Sequence, residues 1–109
     1  MTPNWQPIEA MAFIAGMLDD QLHSARQQVG NLEQCRHRPD VLDRATVSRL
    51  QAVFGEQQDL LPVFREQLVR WLEAPLDEHQ RLEINRLNAV LDQLQDAIKR
   101  ILLMARHGY

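Results

Sequence analysis

The stretch from residue 83 to residue 105, EINRLNAVLDQLQDAIKRILLMA, decides the fold class of this chain. Its apolar residues recur in alternating steps of three and four, which is the spacing of a helix with a heptad stripe. Val90, Ala97 and Met104 widen that stripe by one row, as a helix in a bundle requires. The stripe itself consists of Ile84, Leu87, Leu91, Leu94, Ile98, Ile101 and Ala105.

The start of this helix is marked by Asp77 and Gln80, which have the spacing of a capping box. Gly108 is a residue type that commonly follows the end of a helix. The sequence therefore predicts a helix from about residue 77 to residue 107.

The first part of the chain shows the same periodicity. Between Ile8 and Leu32 the apolar residues again step by three and four, which predicts a second heptad-patterned helix. Pro7 suits a first helical position, where its missing N–H costs nothing. Pro39 disfavours helical geometry at the residue before it, so we expect this helix to span about residues 7–37.

The middle segment predicts a less regular helix, from about residue 40 to residue 73. Asp40 is a good N-cap residue, and a stripe of apolar residues follows it. Gly55 and Pro62 interrupt the pattern, because proline cannot donate a hydrogen bond to the carbonyl four residues earlier. We expect a kink or a break between them, with Asp59 a candidate cap for a second piece.

These three helices define the predicted architecture. No strand-like alternation and no two-residue hairpin signal occurs in the sequence. The two connections are short, which makes neighbouring helices antiparallel. The sequence predicts an all-α fold, an up-down-up antiparallel bundle of three long helices that forms one domain over residues 1–109.

The composition narrows the classes of function. The chain has 109 residues, a net charge of −3 and a single cysteine, which excludes an internal disulfide framework and a strongly basic nucleic-acid binder. No stretch has the length of a membrane span, and we expect a cytoplasmic protein. The sequence offers no catalytic constellation and no phosphate loop. It also offers no metal or cofactor motif, so we expect no cofactor and no enzymatic activity.

Surplus apolar residues suggest an association surface. In the heptad of the first helix, Ala10, Phe13 and Met17 fall on the outer face. The stretch from Ile8 to Leu18 is therefore apolar all round, and we expect it to be buried on every side. Val69 and Leu72 are surplus at the same end of the bundle, together with Trp5 and Trp71. Ala12 and Gly16 would allow another helix to approach closely.

Two interpretations of this surplus remain open. Either the first helix is the central helix of the stack, or the surplus face binds a second copy of the chain or a helix of another protein. We favour a non-enzymatic protein that acts by helix-mediated association, as a homo-oligomer or an accessory subunit. The residues that we expect to carry it are Ala10, Phe13, Met17, Val69 and Leu72.

A basic bundle end supports an alternative function. The up-down-up order brings the basic residues near residue 40 close to those at the end of the last helix. Such a cluster would bind phosphate or a nucleic-acid backbone, although basic residues at helix C-termini are also ordinary complements to the helix dipole. The residues of this candidate patch are Arg36, Arg38, Arg44, Lys99, Arg100 and Arg106.

Overall fold

The computed structural model describes residues 4–35 and 43–106. A short 3₁₀ turn, Ile8–Ala10, leads into helix α1, Met11–Cys35. Helix α2 spans Arg44–Leu72 and helix α3 spans Glu78–Arg106. The all-α fold with three long helices is therefore confirmed. The predicted end of the first helix near residue 37 lies outside the described residues.

The central helix of the fold is α3. Helices α1 and α2 each pack along its length, whereas they make hardly any close backbone contact with each other. The described chain is correspondingly flat, with dimensions of 54 × 30 × 17 Å. The interpretation that places the first helix at the centre of the stack is therefore wrong. The wide apolar stripe of α3 allows this helix to pack against two neighbours.

The heptad stripe of α3 forms the middle of the core. Every residue of the stripe is at most 1% exposed, and Val90, Ala97 and Met104 are also buried. Leu18, Leu32, Leu61 and Leu68 of the flanking helices pack into the same cluster. Burying a leucine of this kind stabilises a fold by roughly 1.5–3 kcal/mol, so the α3 stripe supplies much of the stability of this bundle.

Polar pairs follow the seam between α1 and α3 at heptad intervals. Arg86 pairs with Asp19 through two hydrogen bonds of 2.9 and 3.1 Å, which, together with Glu83, raise the pKa of the guanidinium above its usual range. Further along the seam, Arg26 bonds Gln93. The last pair joins Glu33 of α1 to Arg100 of α3. The three pairs are spaced by seven residues on each helix, so polar side chains join α1 to α3 along the length of this seam.

The start of α2 differs from the prediction. Asp43, and not Asp40, is the N-cap residue, because its carboxylate accepts a hydrogen bond of 2.7 Å from the Thr46 amide. This bond lowers the pKa of the Asp43 carboxyl. The helix accordingly begins at Arg44 and not near residue 40, and Asp40 itself lies outside the described residues.

Helix α2 runs without interruption through Pro62. The sequence predicts a kink or a break between Gly55 and Pro62, and the continuous helix excludes the break. Asp59 lies inside the helix instead of capping a second piece. Pro62 is exposed, so its ring projects toward solvent. Packing of Leu61 and Leu68 against the core outweighs the hydrogen bond lost at the proline.

The start of α3 agrees with the sequence. The Gln80 amide donates to the Asp77 carboxylate at 2.8 Å, and the Asp77 amide donates to the Gln80 side chain at 3.0 Å. These two reciprocal bonds make the predicted capping box. They satisfy two backbone donors that a helix start otherwise leaves unpaired.

Candidate association surface

An open face lies between α1 and α2, where the two flanking helices fail to meet. A depression of about 600 Å³ occupies its α1 side. A second depression of about 310 Å³ lies further toward the end that holds the start of α2. The first is lined by Ala12, Phe13, Gly16, Met17, Asp20, Gln21, Ser24 and Gln57. The second is lined by Gln28, Thr46, Arg49, Leu50, Val53 and Phe54.

Phe13 is the most prominent residue of the open face. Its side chain is 77% exposed although it lies beside the larger depression. Met17, one turn further along α1, is half-buried in the same depression. The expectation that the stretch from Ile8 to Leu18 is enclosed on every side is therefore wrong, because nothing in the described chain covers Phe13.

Small residues shape the floor beside Phe13. A methyl group added at Gly16 would meet no atom within 4 Å, so the backbone of α1 is accessible there. Ala12, one turn earlier, is also exposed. The two positions form a shallow strip along α1, next to a large protruding ring.

The α2 side of the open face carries two residues of the apolar stripe of this helix. Val53 is 46% exposed and Leu60 is 44% exposed. They are seven residues apart and therefore share one side of the helix. Their periodicity did mark a stripe, but a stripe does not show whether a second helix covers it. They are half exposed because α1 and α2 hardly pack against each other.

Gln57 lies between these two residues along α2. Its Oε1 atom is buried and finds no hydrogen-bond partner among the described residues. Buried polar atoms in folded proteins are nearly always paired, so this oxygen is an unusual feature of the depression that it lines.

Charge is scarce on the open face. Among the residues that line the two depressions, only Asp20 and Arg49 are charged. The α1–α3 seam, in contrast, is lined with polar pairs at every heptad. Depletion of charge around exposed aromatic and apolar side chains is typical of the centre of a protein–protein interface.

The structure separates the residues predicted to associate. Phe13 and Met17 lie together, whereas Ala10 is partly buried and packs against the core. Val69 is 48% exposed, but sixteen residues at about 100° each place it roughly 160° around α2 from Val53. Leu72, 47% exposed, is the last residue of the helix. Val69 therefore does not share a surface with Phe13.

The two tryptophans belong to the fold and not to an exposed surface. Trp71 is only 3% exposed, and its indole N–H donates to the Gln6 carbonyl at 3.0 Å. Trp5 is half-buried, and the Arg70 guanidinium lies 4.2 Å from its ring centroid. The expectation that Trp71 marks an association surface is wrong.

The predicted basic patch is only partly described. Arg44 and Lys99 are exposed, and Arg100 is paired with Glu33. Arg36 and Arg38 lie outside the described residues, as does the side chain of Arg106. Two exposed cations and one paired arginine do not by themselves form a phosphate site.

Within residues 4–35 and 43–106, no group of three or more potential ligands is placed to hold a metal ion. No helix in these ranges combines the length and apolarity needed to cross a membrane. Comparison with protein-family models, curated proteins and solved structures finds no match for the chain.

Proposed function

We propose that this chain is a non-enzymatic protein that associates with a second copy of itself through the open face. The observation that carries the proposal is the 77% exposure of Phe13 beside a depression of about 600 Å³. A protruding ring and a depression on one surface are self-complementary under two-fold symmetry, because each copy offers what the other accepts. The lone thiol of Cys35 agrees with a cytoplasmic location, which is part of the same proposal.

The energetics favour such a contact. Burying one phenylalanine side chain contributes roughly 1.5–3 kcal/mol, and a two-fold dimer buries two of them. Met17, Val53 and Leu60 add further apolar area, and their neighbours bring little charge that would need desolvation. Each 1.4 kcal/mol corresponds to a factor of ten in affinity, so loss of Phe13 alone would weaken the dimer by well over tenfold.

The test compares two aspartate variants that differ only in which surface they alter. Phe13→Asp, combined with Met17→Asp, introduces charge at the centre of the open face. Val69→Asp introduces it at a similarly apolar, exposed position on the far side of α2. Light scattering after size-exclusion chromatography measures the mass of each, and circular dichroism checks that helicity is retained.

We expect the wild type and Val69→Asp to be dimers and the double variant to be a helical monomer. A helical wild-type monomer at all concentrations would contradict self-association and leave a helix of another protein as the occupant. If Val69→Asp alone dissociates the dimer, the interface lies on the opposite side of α2.

A further inference from the structure

The N-terminal segment, residues 4–7, crosses from α1 to α2 and is held there by specific bonds. The Gln6 amide donates to the Gln67 side-chain oxygen at 2.7 Å, and the Gln67 amide group donates to the Gln6 carbonyl at 3.3 Å. One glutamine thus pairs with both backbone groups of Gln6, as a neighbouring strand would. The indole of Trp71 donates to the same carbonyl at 3.0 Å.

The residues that receive this segment are unusually enclosed. Gln67 is 5% exposed and is the only buried polar side chain among the described residues. Placing an amide there would cost free energy without its partners, and both of its hydrogen bonds go to Gln6. The contact between Trp5 and Arg70 adds a cation–π interaction on the outside.

We propose that residues 4–7 are a latch that ties α1 to α2 and sets the width of the open face. The two helices pack on α3 but hardly on each other, so α3 holds both of them while few direct contacts limit how far each can turn about it. The latch joins the start of α1 to the last turns of α2, at one end of the face. Releasing Gln6 removes the bonds that connect these ends, and α1 is then free to turn on α3 away from α2 while its seam with α3 is kept.

The experiment measures the separation of α1 and α2 by double electron–electron resonance between two spin labels. The full chain carries Cys35→Ser and spin labels at two exposed sites, His23→Cys on α1 and Asp59→Cys on α2. A second sample has labels at His23→Cys and Asp96→Cys, which report the α1–α3 separation. Dilution with unlabelled protein restricts the signal to distances within one copy, so the result does not depend on the proposed dimer.

Gln67→Leu removes two of the three hydrogen bonds to Gln6, leaving the one from Trp71, and keeps a side chain of similar size. We expect the α1–α2 distance distribution to shift to longer values and to broaden, with the α1–α3 distribution unchanged. Gln58→Leu is the matched control, since Gln58 is on the same helix but lies beside Lys99 and Leu102 of α3. It should leave both distributions as they are.

Two results would overturn the latch. In one, Gln67→Leu folds and leaves the α1–α2 distribution unchanged. In the other, both distributions broaden together, which would make Gln67 a general core residue. If Gln67→Leu fails to fold, Trp5→Ala replaces it, because Trp5 is half-buried and contacts α2 through Arg70. Trp5→Ala should produce a smaller shift in the same direction, and an unchanged distribution contradicts the proposal.

Discussion

Asp43 shows how a single side chain defines the start of an element. The sequence offers two aspartates three residues apart, and both are residue types that cap helices. Which aspartate caps the helix depends on whose carboxylate lies within hydrogen-bond distance of a free backbone amide. The path of the backbone before the helix determines this. Asp43 meets the Thr46 amide, so α2 starts later than periodicity and residue type indicate.

The cap at Asp43 makes the stability of α2 depend on pH. Its carboxyl has a lowered pKa in the folded state because it accepts the Thr46 hydrogen bond. A lowered folded pKa gives stability that is present above the unfolded value of about 4 and is lost as pH falls through the folded pKa. We expect the melting temperature of the wild type to fall across this acid range more than that of Asp43→Asn. Thermal melts of both chains from about pH 6 to pH 2 test this, and parallel curves would contradict it.

At the scale of the element, α3 is what the sequence predicts best. Its stripe, its capping box and its length all follow from residue spacing, and the structure reproduces each of them. Local signals suffice here because a central helix buries its whole heptad stripe. The same rules fail for α2, where Val53 and Leu60 belong to a regular stripe but have no helix above them.

The core role of the α3 stripe gives a prediction with a control on the same helix. Leu94 is fully buried and Leu103 is 54% exposed. Leu94→Ala should lower the free energy of unfolding by about 2–5 kcal/mol, and Leu103→Ala by no more than about 0.5 kcal/mol. Urea denaturation followed by circular dichroism measures both. Equal effects of the two substitutions would contradict the central position of α3.

Pro62 gives a second prediction at this scale. The helix passes through it without interruption, yet proline in a helix interior is about 3 kcal/mol less favourable than alanine. Pro62 is exposed, so Pro62→Ala removes no core packing and restores a donor for the carbonyl of Gln58. We expect a more stable protein with unchanged helix content, measured by thermal melting. A lower melting temperature would mean that the proline bends α2 into the shape that the core requires.

At the scale of the whole molecule, the spacing of apolar residues does not predict how the helices are arranged. Three apolar stripes predict a bundle, but they do not show which helix is central or whether the outer two meet. That outcome depends on the relative widths of the stripes and on long-range contacts such as Gln67 with Gln6. Phe13 and Met17, which are apolar at outer-face positions, line the same depression, whereas Ala10 and Val69, which the sequence also marks as surplus, do not share that surface.

The most direct test of the account is whether Phe13 of one copy touches α1 or α2 of another. Mixing isotope-labelled with unlabelled chain and recording an isotope-filtered NOESY spectrum isolates contacts between copies. We expect intermolecular contacts from the Phe13 ring to residues of the open face, such as Met17 and Val53. A dimer whose intermolecular contacts lie elsewhere, or a spectrum without any at concentrations where light scattering detects only monomer, would contradict the proposal.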